Sequence, residues 1–144
     1  MSAPTYDPDN IFAKILRNEI PSETVYEDEA TRVIMDIMPR ADGHALVLPK
    51  AASRNILDIE PASLAATIAT VQRVARAAKA AFAADGVTVQ QFSEGAGGQM
   101  VFHTHFHVLP RHEGVPLKPH SGEMAPADEI GTAAAKLRAA LSAE

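Results

Sequence analysis

Apolar positions along the chain recur with two periods, one helical and one alternating, and the changes of period divide it into elements. Ile11, Phe12, Ile15 and Leu16 form a stripe behind Asp9 and Asn10, either of which can cap a short helix, and Pro21 stops it. Residues 25–27 and 32–37 read as β-strands joined at the acidic pair Asp28-Glu29, a hairpin with a solvent-facing turn. After residues 39–43 the apolar run 44–49 predicts a third, central strand that Pro49 ends. Pro61 suits a first helical position. Leu64, Ile68, Val71, Ala75, Ala78 and Phe82 follow at helical spacing up to Asp85-Gly86, which predicts one long helix. Residues 87–92 read as a fourth strand, a glycine-rich turn runs through Gly98, and residues 101–109 return as a fifth. A loop over 114–122, with Pro116 and Pro119, precedes a last helix that begins near Pro126 and buries Ile130, Leu137 and Leu141.

Strand pairs with short turns, interrupted by one long helix, favour an α+β fold over a doubly wound parallel one. The expected architecture is a five-stranded antiparallel sheet with one long central helix, a short N-terminal helix and a C-terminal helix. At 144 residues, 47% hydrophobic, the chain suits a single domain over 1–144. No apolar run approaches the roughly 20 residues of a membrane span and no secretory signal is present, so no membrane partner is expected. The absence of cysteine excludes disulfides and thiolate zinc sites and is compatible with the expected cytoplasmic location. A net charge of -5 without a basic stripe argues against nucleic acid, while a local pocket for a small anion stays open. Arg73, Arg76 and Lys79 fall between the apolar positions of the long helix and read as its solvated face.

The chemistry concentrates in His103-Thr104-His105-Phe106-His107-Val108-Leu109. On an extended strand, alternate residues share a face and lie roughly 6.5 to 7 Å apart, so three imidazoles would converge on one small anion or ligand, with Phe106 and Val108 turned to the core. A neutral imidazole with a pKa of about 6.5 can attack phosphorus without a separate base. If a backbone carbonyl holds Nδ1–H, Nε2 keeps its lone pair. His105, flanked on both sides, is the natural nucleophile by symmetry, with His107 and His103 in support. Alternating histidines also ligate zinc or copper, and His44 or His112 could complete such a set. Gly95, Gly97 and Gly98 make neither GxGxxG nor a P-loop.

Further segments stand in order before the histidines: Ile11-Phe12-Ala13-Lys14-Ile15, Glu19-Ile20-Pro21, Asp36-Ile37, Gly43-His44-Ala45-Leu46-Val47-Leu48-Pro49-Lys50 and Gly97-Gly98-Gln99. With His-x-His-x-His and its two following apolar residues, they resemble the nucleoside phosphoramidate-hydrolase branch of the histidine-triad (HIT) family of nucleotide hydrolases and transferases. The resemblance covers a core over residues 9–112, and the tail 113–144 is not diagnostic. It implies that His105 is the nucleophile, that His107 contacts the α-phosphate and that His103 is mainly structural. It further implies that Asp36 accepts the ribose hydroxyls and that Ile11, Phe12, Ile15, Ile34, Ile37 and Leu46 wall the base, although each of these could equally be core. Gly97 and Gly98 would offer backbone N–H groups to the phosphates, with Gln99 beside them.

Three departures from that pattern matter. Met100 stands where a hydroxyl residue is usual near the leaving group, and a thioether cannot donate a proton. Ser93 stands in place of a phosphate-facing Asn. Asn10 and Ala13 cannot supply the cysteines of the structural zinc site of some bacterial members, so neither metal nor cofactor is expected and His44 is read as a supporting or packing residue. The resemblance implies a purine nucleotide substrate and a homodimer, through the alanine-rich long helix and a sheet edge. The expected function is hydrolysis of purine nucleoside 5'-phosphoramidates or AMP conjugates through a nucleotidyl-histidine intermediate. Dinucleoside polyphosphate hydrolysis, nucleotidyl transfer, and nucleotide binding with little turnover are the alternatives.

Overall fold

The structure is a computed structural model and describes residues 4–119 and 123–144. Asn10 caps the first helix, α1 (Ile11–Leu16), its side-chain oxygen accepting the Ala13 N–H at 2.8 Å. The helix ends before Pro21, because Asn18 takes φ +62° and turns the chain away. Five strands follow: β1 (Thr24–Glu27), β2 (Thr31–Met35), β3 (Ala45–Pro49), β4 (Gly86–Gln90) and β5 (Phe106–Arg111). They lie in the order β1-β2-β3-β5-β4 with every neighbour antiparallel, which makes the expected five-stranded antiparallel sheet. The β1–β2 turn is less solvent-facing than expected. Asp28 is half-buried because its carboxylate accepts the Ala30 and Thr31 N–H groups and the hydroxyls of Thr31 and Tyr26, so only Glu29 is exposed.

Alternation along the strands sorts side chains between two layers. Val33, Met35, Ala45, Val47, Phe106 and Val108 face α2 (Pro61–Ala81) and α3 (Ala127–Ser142) and form the main core with them. On the opposite face Ile34, Leu46 and His107 are direct cross-strand neighbours in one row. Phe12 and Ile15 of α1 cover the apolar part of that row together with Leu48. The buried face of α2 is rotated from the expected one: Ile68 is exposed, and Thr67 and Thr70 point inward instead. Each threonine hydroxyl bonds a carbonyl of its own helix, Ser63 or Ala66, and Thr70 also meets Thr31 at 3.0 Å, so both enter the core with their polar atoms satisfied. The helix ends at Ala81, before Asp85, as Ala83 adopts φ +47°. Of the expected loop 114–122, residues 120–122 lie outside the described residues.

Two features set up the functional end of the sheet. Gly43 has φ +88° and packs so closely on Phe82 that a Cβ there would lie 2.5 Å from the ring, so any other residue before His44 would be strained and would have to displace that ring. The histidine segment departs from expectation, for β5 begins at Phe106 and His103 and His105 precede it.

Candidate active site

A splint replaces the expected strand. His103 Nε2–H donates to the Pro49 carbonyl at 2.8 Å, and the Thr104 N–H donates to the Ser53 carbonyl at 2.9 Å. The Ser53 and Thr104 hydroxyls meet at 2.6 Å. Residues beyond the end of β3 thus hold 103–104 in place without a regular ladder. Since Pro49 accepts from Nε2, His103 Nδ1 is an acceptor, and the Tyr6 hydroxyl fills it at 2.7 Å. Both ring nitrogens are used and the residue is 1% exposed, so His103 is a structural pin that presents nothing to a ligand.

The partners of the other rings dictate their tautomers. His105 Nδ1 lies 2.6 Å from the His103 carbonyl, which can only accept, so Nδ1 carries the proton and Nε2 keeps a lone pair. Burial pushes the imidazole down to about 4, the bond to the His103 carbonyl opposing this, so the ring is neutral at pH 7. Phe12 stands edge-on to it with ring centres 4.8 Å apart. His107 is 5.0 Å from His105, centre to centre, and its Nδ1 lies 2.9 Å from His44 Nε2. His44 Nδ1 accepts the Arg40 N–H at 3.1 Å, which puts the His44 proton on Nε2. His44 therefore donates to His107 Nδ1, and His107, whose Nδ1 accepts, carries its proton on Nε2. A lone-pair nitrogen and an N–H donor stand side by side on adjacent rings.

Asp36 completes this chain. One carboxylate oxygen lies 3.5 Å from His44 Nε2 and the other accepts the Met38 N–H at 2.8 Å. Ligating atoms of Asp36, His44 and His107 all fall within 4.8 Å of one another, a spacing at which side chains can share a cation. They do not fit one, because the His44 nitrogen that would ligate carries the proton fixed by Arg40. At positions 10 and 13, the cap bond between Asn10 and Ala13 stands in place of any metal ligand.

The remaining expected site residues divide. Ile15, Ile34 and Leu46 are buried against one another beneath α1, and Phe12 closes that cluster, whereas Ile11 and Ile37 are more than two-fifths exposed and have surface to offer. The expected donors of the glycine turn need correction. Gly97 and Gly98 N–H groups bond the Glu94 and Gly95 carbonyls at 3.0 Å inside a single 3₁₀ turn (Gly95–Gly97), so neither is available to a phosphate. Gln99 is also corrected. It is buried, its Oε1 accepting from Glu94 N and Asn55 Nδ2 and its Nε2 donating to the Arg54 and Val101 carbonyls, which leaves no valence for a ligand. Among the described residues, the N–H groups of Gly95, Ala96 and Met100 in this turn make no intramolecular hydrogen bond. The Ser93 hydroxyl is bonded to the Gln91 side chain at 2.9 Å, and the Met100 side chain is 75% exposed.

Sequence reasoning passed over Phe92, Tyr6 and the full role of His44. Phe92 packs edge-on against His107, ring centres 5.4 Å apart, and lies under Gly98, tying the glycine turn to the histidines. Its signal was the aromatic at the end of an expected strand. Tyr6 precedes every periodic segment and carried none. Two open surface clefts, beside the β1–β2 turn and along the β4–β5 edge, contain none of the three triad histidines.

Comparison with known proteins bears on the family and the fold. Residues 17–114 match the HIT domain family. The adenylylsulfatase HINT3 of Arabidopsis thaliana is 33% identical over 109 residues, 76% of this chain and 55% of that protein, so the chain spans about half of the relative's length. A crystal structure of a Hit-like protein from Bartonella henselae superposes with a TM-score of 0.91 at 51% identity, over 95% of this chain and 99% of that one. A zinc-bound histidine-triad protein from Mycobacterium smegmatis gives 0.83 at 37% identity, over 94% of each chain. A family match over more than half of the sequence, on a fold shared almost end to end, settles the kinship: this chain belongs to the HIT family.

Proposed function

We propose that the protein hydrolyses purine nucleoside 5'-phosphoramidates or related AMP conjugates through a nucleotidyl-histidine intermediate. The observation that carries this reading is the pair of complementary nitrogens, an unprotonated Nε2 on His105 beside an Nε2–H on His107. His105 Nε2 attacks the α-phosphorus, the bond to the leaving amine breaks, and the amine departs protonated by a neighbouring group or water. Water then attacks phosphorus, the phosphorus–nitrogen bond to His105 breaks, and the nucleoside monophosphate leaves. The His107 N–H stabilises charge on the phosphoryl oxygens in both steps. Asp36, a carboxylate at the end of β2 beside His44, would accept the ribose hydroxyls, and exposed Ile11 and Ile37 offer apolar surface to the base. The Arabidopsis relative's name, adenylylsulfatase, is that of an enzyme for an AMP conjugate and supports the class.

The test incubates the protein with adenosine 5'-phosphoramidate, ATP and diadenosine tetraphosphate, with and without chelator, alongside His105→Ala. AMP release from the phosphoramidate, indifferent to chelator and reduced at least about 10³-fold in the variant, is expected. Chelator-sensitive turnover or full activity of His105→Ala would overturn the mechanism. Preference for the tetraphosphate would move the substrate to the dinucleoside class, and tight AMP binding without product would favour a nucleotide-binding role.

A further inference from the structure

Glu94 occupies a backbone conformation, φ +66° and ψ 164°, that is essentially restricted to glycine. A non-glycine residue persists there only when its surroundings over-determine it. They do so here. Arg54 grips the Glu94 carboxylate with both Nε and Nη2, at 2.8 and 2.9 Å, and Asn55 Nδ2 adds a third donor at 2.6 Å. The Glu94 N–H is bonded to Gln99 Oε1 at 2.7 Å, and its carbonyl accepts from both Gly97 and Gln99. Gln99 in turn donates to the Arg54 carbonyl, so the network closes on itself.

This network continues the splint that holds the nucleophile. From Pro49 to Asn55, one segment bonds in succession to His103, Thr104, Gln99 and Glu94, and so spans everything between the glycine turn and His105. The turn also rests on Phe92, which rests on His107. The turn has no sheet ladder of its own, so its placement relative to the two catalytic rings depends on the splint.

We infer that the Arg54–Glu94 pair is a positioning device for the glycine turn, clamping a strained residue so that the turn holds its place beside His105 and His107. The inference rests on the hydrolase reading above for its catalytic consequence, though not for the clamp itself. On the base and ribose side of the site, built from α1, β2 and β3, Pro49 at the end of β3 joins the splint through His103 but no residue bonds Arg54 or Glu94, so the clamp is expected to act on the chemical step more than on nucleotide binding. Without Arg54, Glu94 relaxes to an ordinary conformation and the turn shifts; with glycine at 94, the conformation needs no clamp.

The experiment compares wild type, Arg54→Ala and the double variant Arg54→Ala/Glu94→Gly, with Arg54→Gln in place of Ala if that variant does not fold. Two readouts are taken: kcat and KM on adenosine 5'-phosphoramidate, and amide hydrogen exchange over residues 94–101. Arg54→Ala is expected to lower kcat about tenfold or more, as a small misplacement of a reacting constellation does, with KM within about twofold. Exchange in the turn should speed up. The double variant, which still lacks the ion pair, should recover most of both. Unchanged exchange in Arg54→Ala, or a double variant as slow as the single, overturns the clamp. If wild type turns over none of the substrates, the hydrolase reading falls, and the exchange measurement alone decides the clamp.

Discussion

At the scale of single residues, the proposed function rests on which nitrogen of each ring carries a proton, and each assignment follows from one neighbour that can only donate or only accept. The His103 carbonyl sets His105, and the Arg40 N–H sets His44 and through it His107. The pH dependence follows. His105 titrates near 4 in the folded chain because burial disfavours the imidazolium, against about 6.5 when exposed. The acid limb of kcat/KM assigned to the nucleophile should therefore lie nearer pH 4 than 6.5. Stability carries the same signature. Between pH 6.5 and 4 the unfolded chain binds a proton that folded His105 refuses, so stability falls as pH falls, by at most ~3 kcal/mol from this ring, and levels off below its folded value. His103, also pushed down by burial, acts in the same direction. Urea midpoints at pH 7.5, 5.5 and 4.5 check this. A midpoint flat from 7.5 to 4.5 would contradict the buried neutral rings.

At the scale of elements, the site depends on what happens where elements stop. His44 lies just before β3 and His105 just before β5, and both owe their positions to the termini. Gly43 is the sharpest case. Its φ of +88° and the Phe82 ring 2.5 Å from a built Cβ mean that alanine there meets strain and overlap together. Gly43→Ala should cost about 2 kcal/mol or more, seen in the denaturation midpoint. It should also depress activity, because the displaced residue adjoins His44. An unchanged midpoint would show that the Phe82 ring swings aside freely. By contrast, Pro61 and Asn10 at helix starts were readable from residue type, since capping and N1 preferences are local.

At the scale of the whole molecule, the antiparallel sheet has two edges, β1 and β4. β4 pairs with β5 on one side only and carries Val89, 45% exposed, the kind of open edge that pairs with a second copy unless charged or covered. The resemblance implies a homodimer through the long helix and a sheet edge, and with β4 as that edge Val89→Lys is expected to shift the chain toward monomer in light scattering. Wild type that is monomeric at micromolar concentration would remove the expectation. None of the helices among the described residues is long and apolar enough to cross a membrane.

The sequence by itself determined the element order, the antiparallel class and the division of β5 into core-facing Phe106 and Val108 against His107, because hydrophobic period and turn chemistry are local properties. It also singled out the histidine trio. Only the tertiary structure decided that His103 and His105 sit ahead of the strand, that Gly97, Gly98 and Gln99 spend their polar groups internally, and that Tyr6, Phe92, Arg54 and Glu94 build the surroundings. These contacts join residues up to 97 positions apart, and whether a donor is free depends on partners that no local pattern encodes. A ring's tautomer, and hence which nitrogen can attack phosphorus, is settled by its neighbours in space.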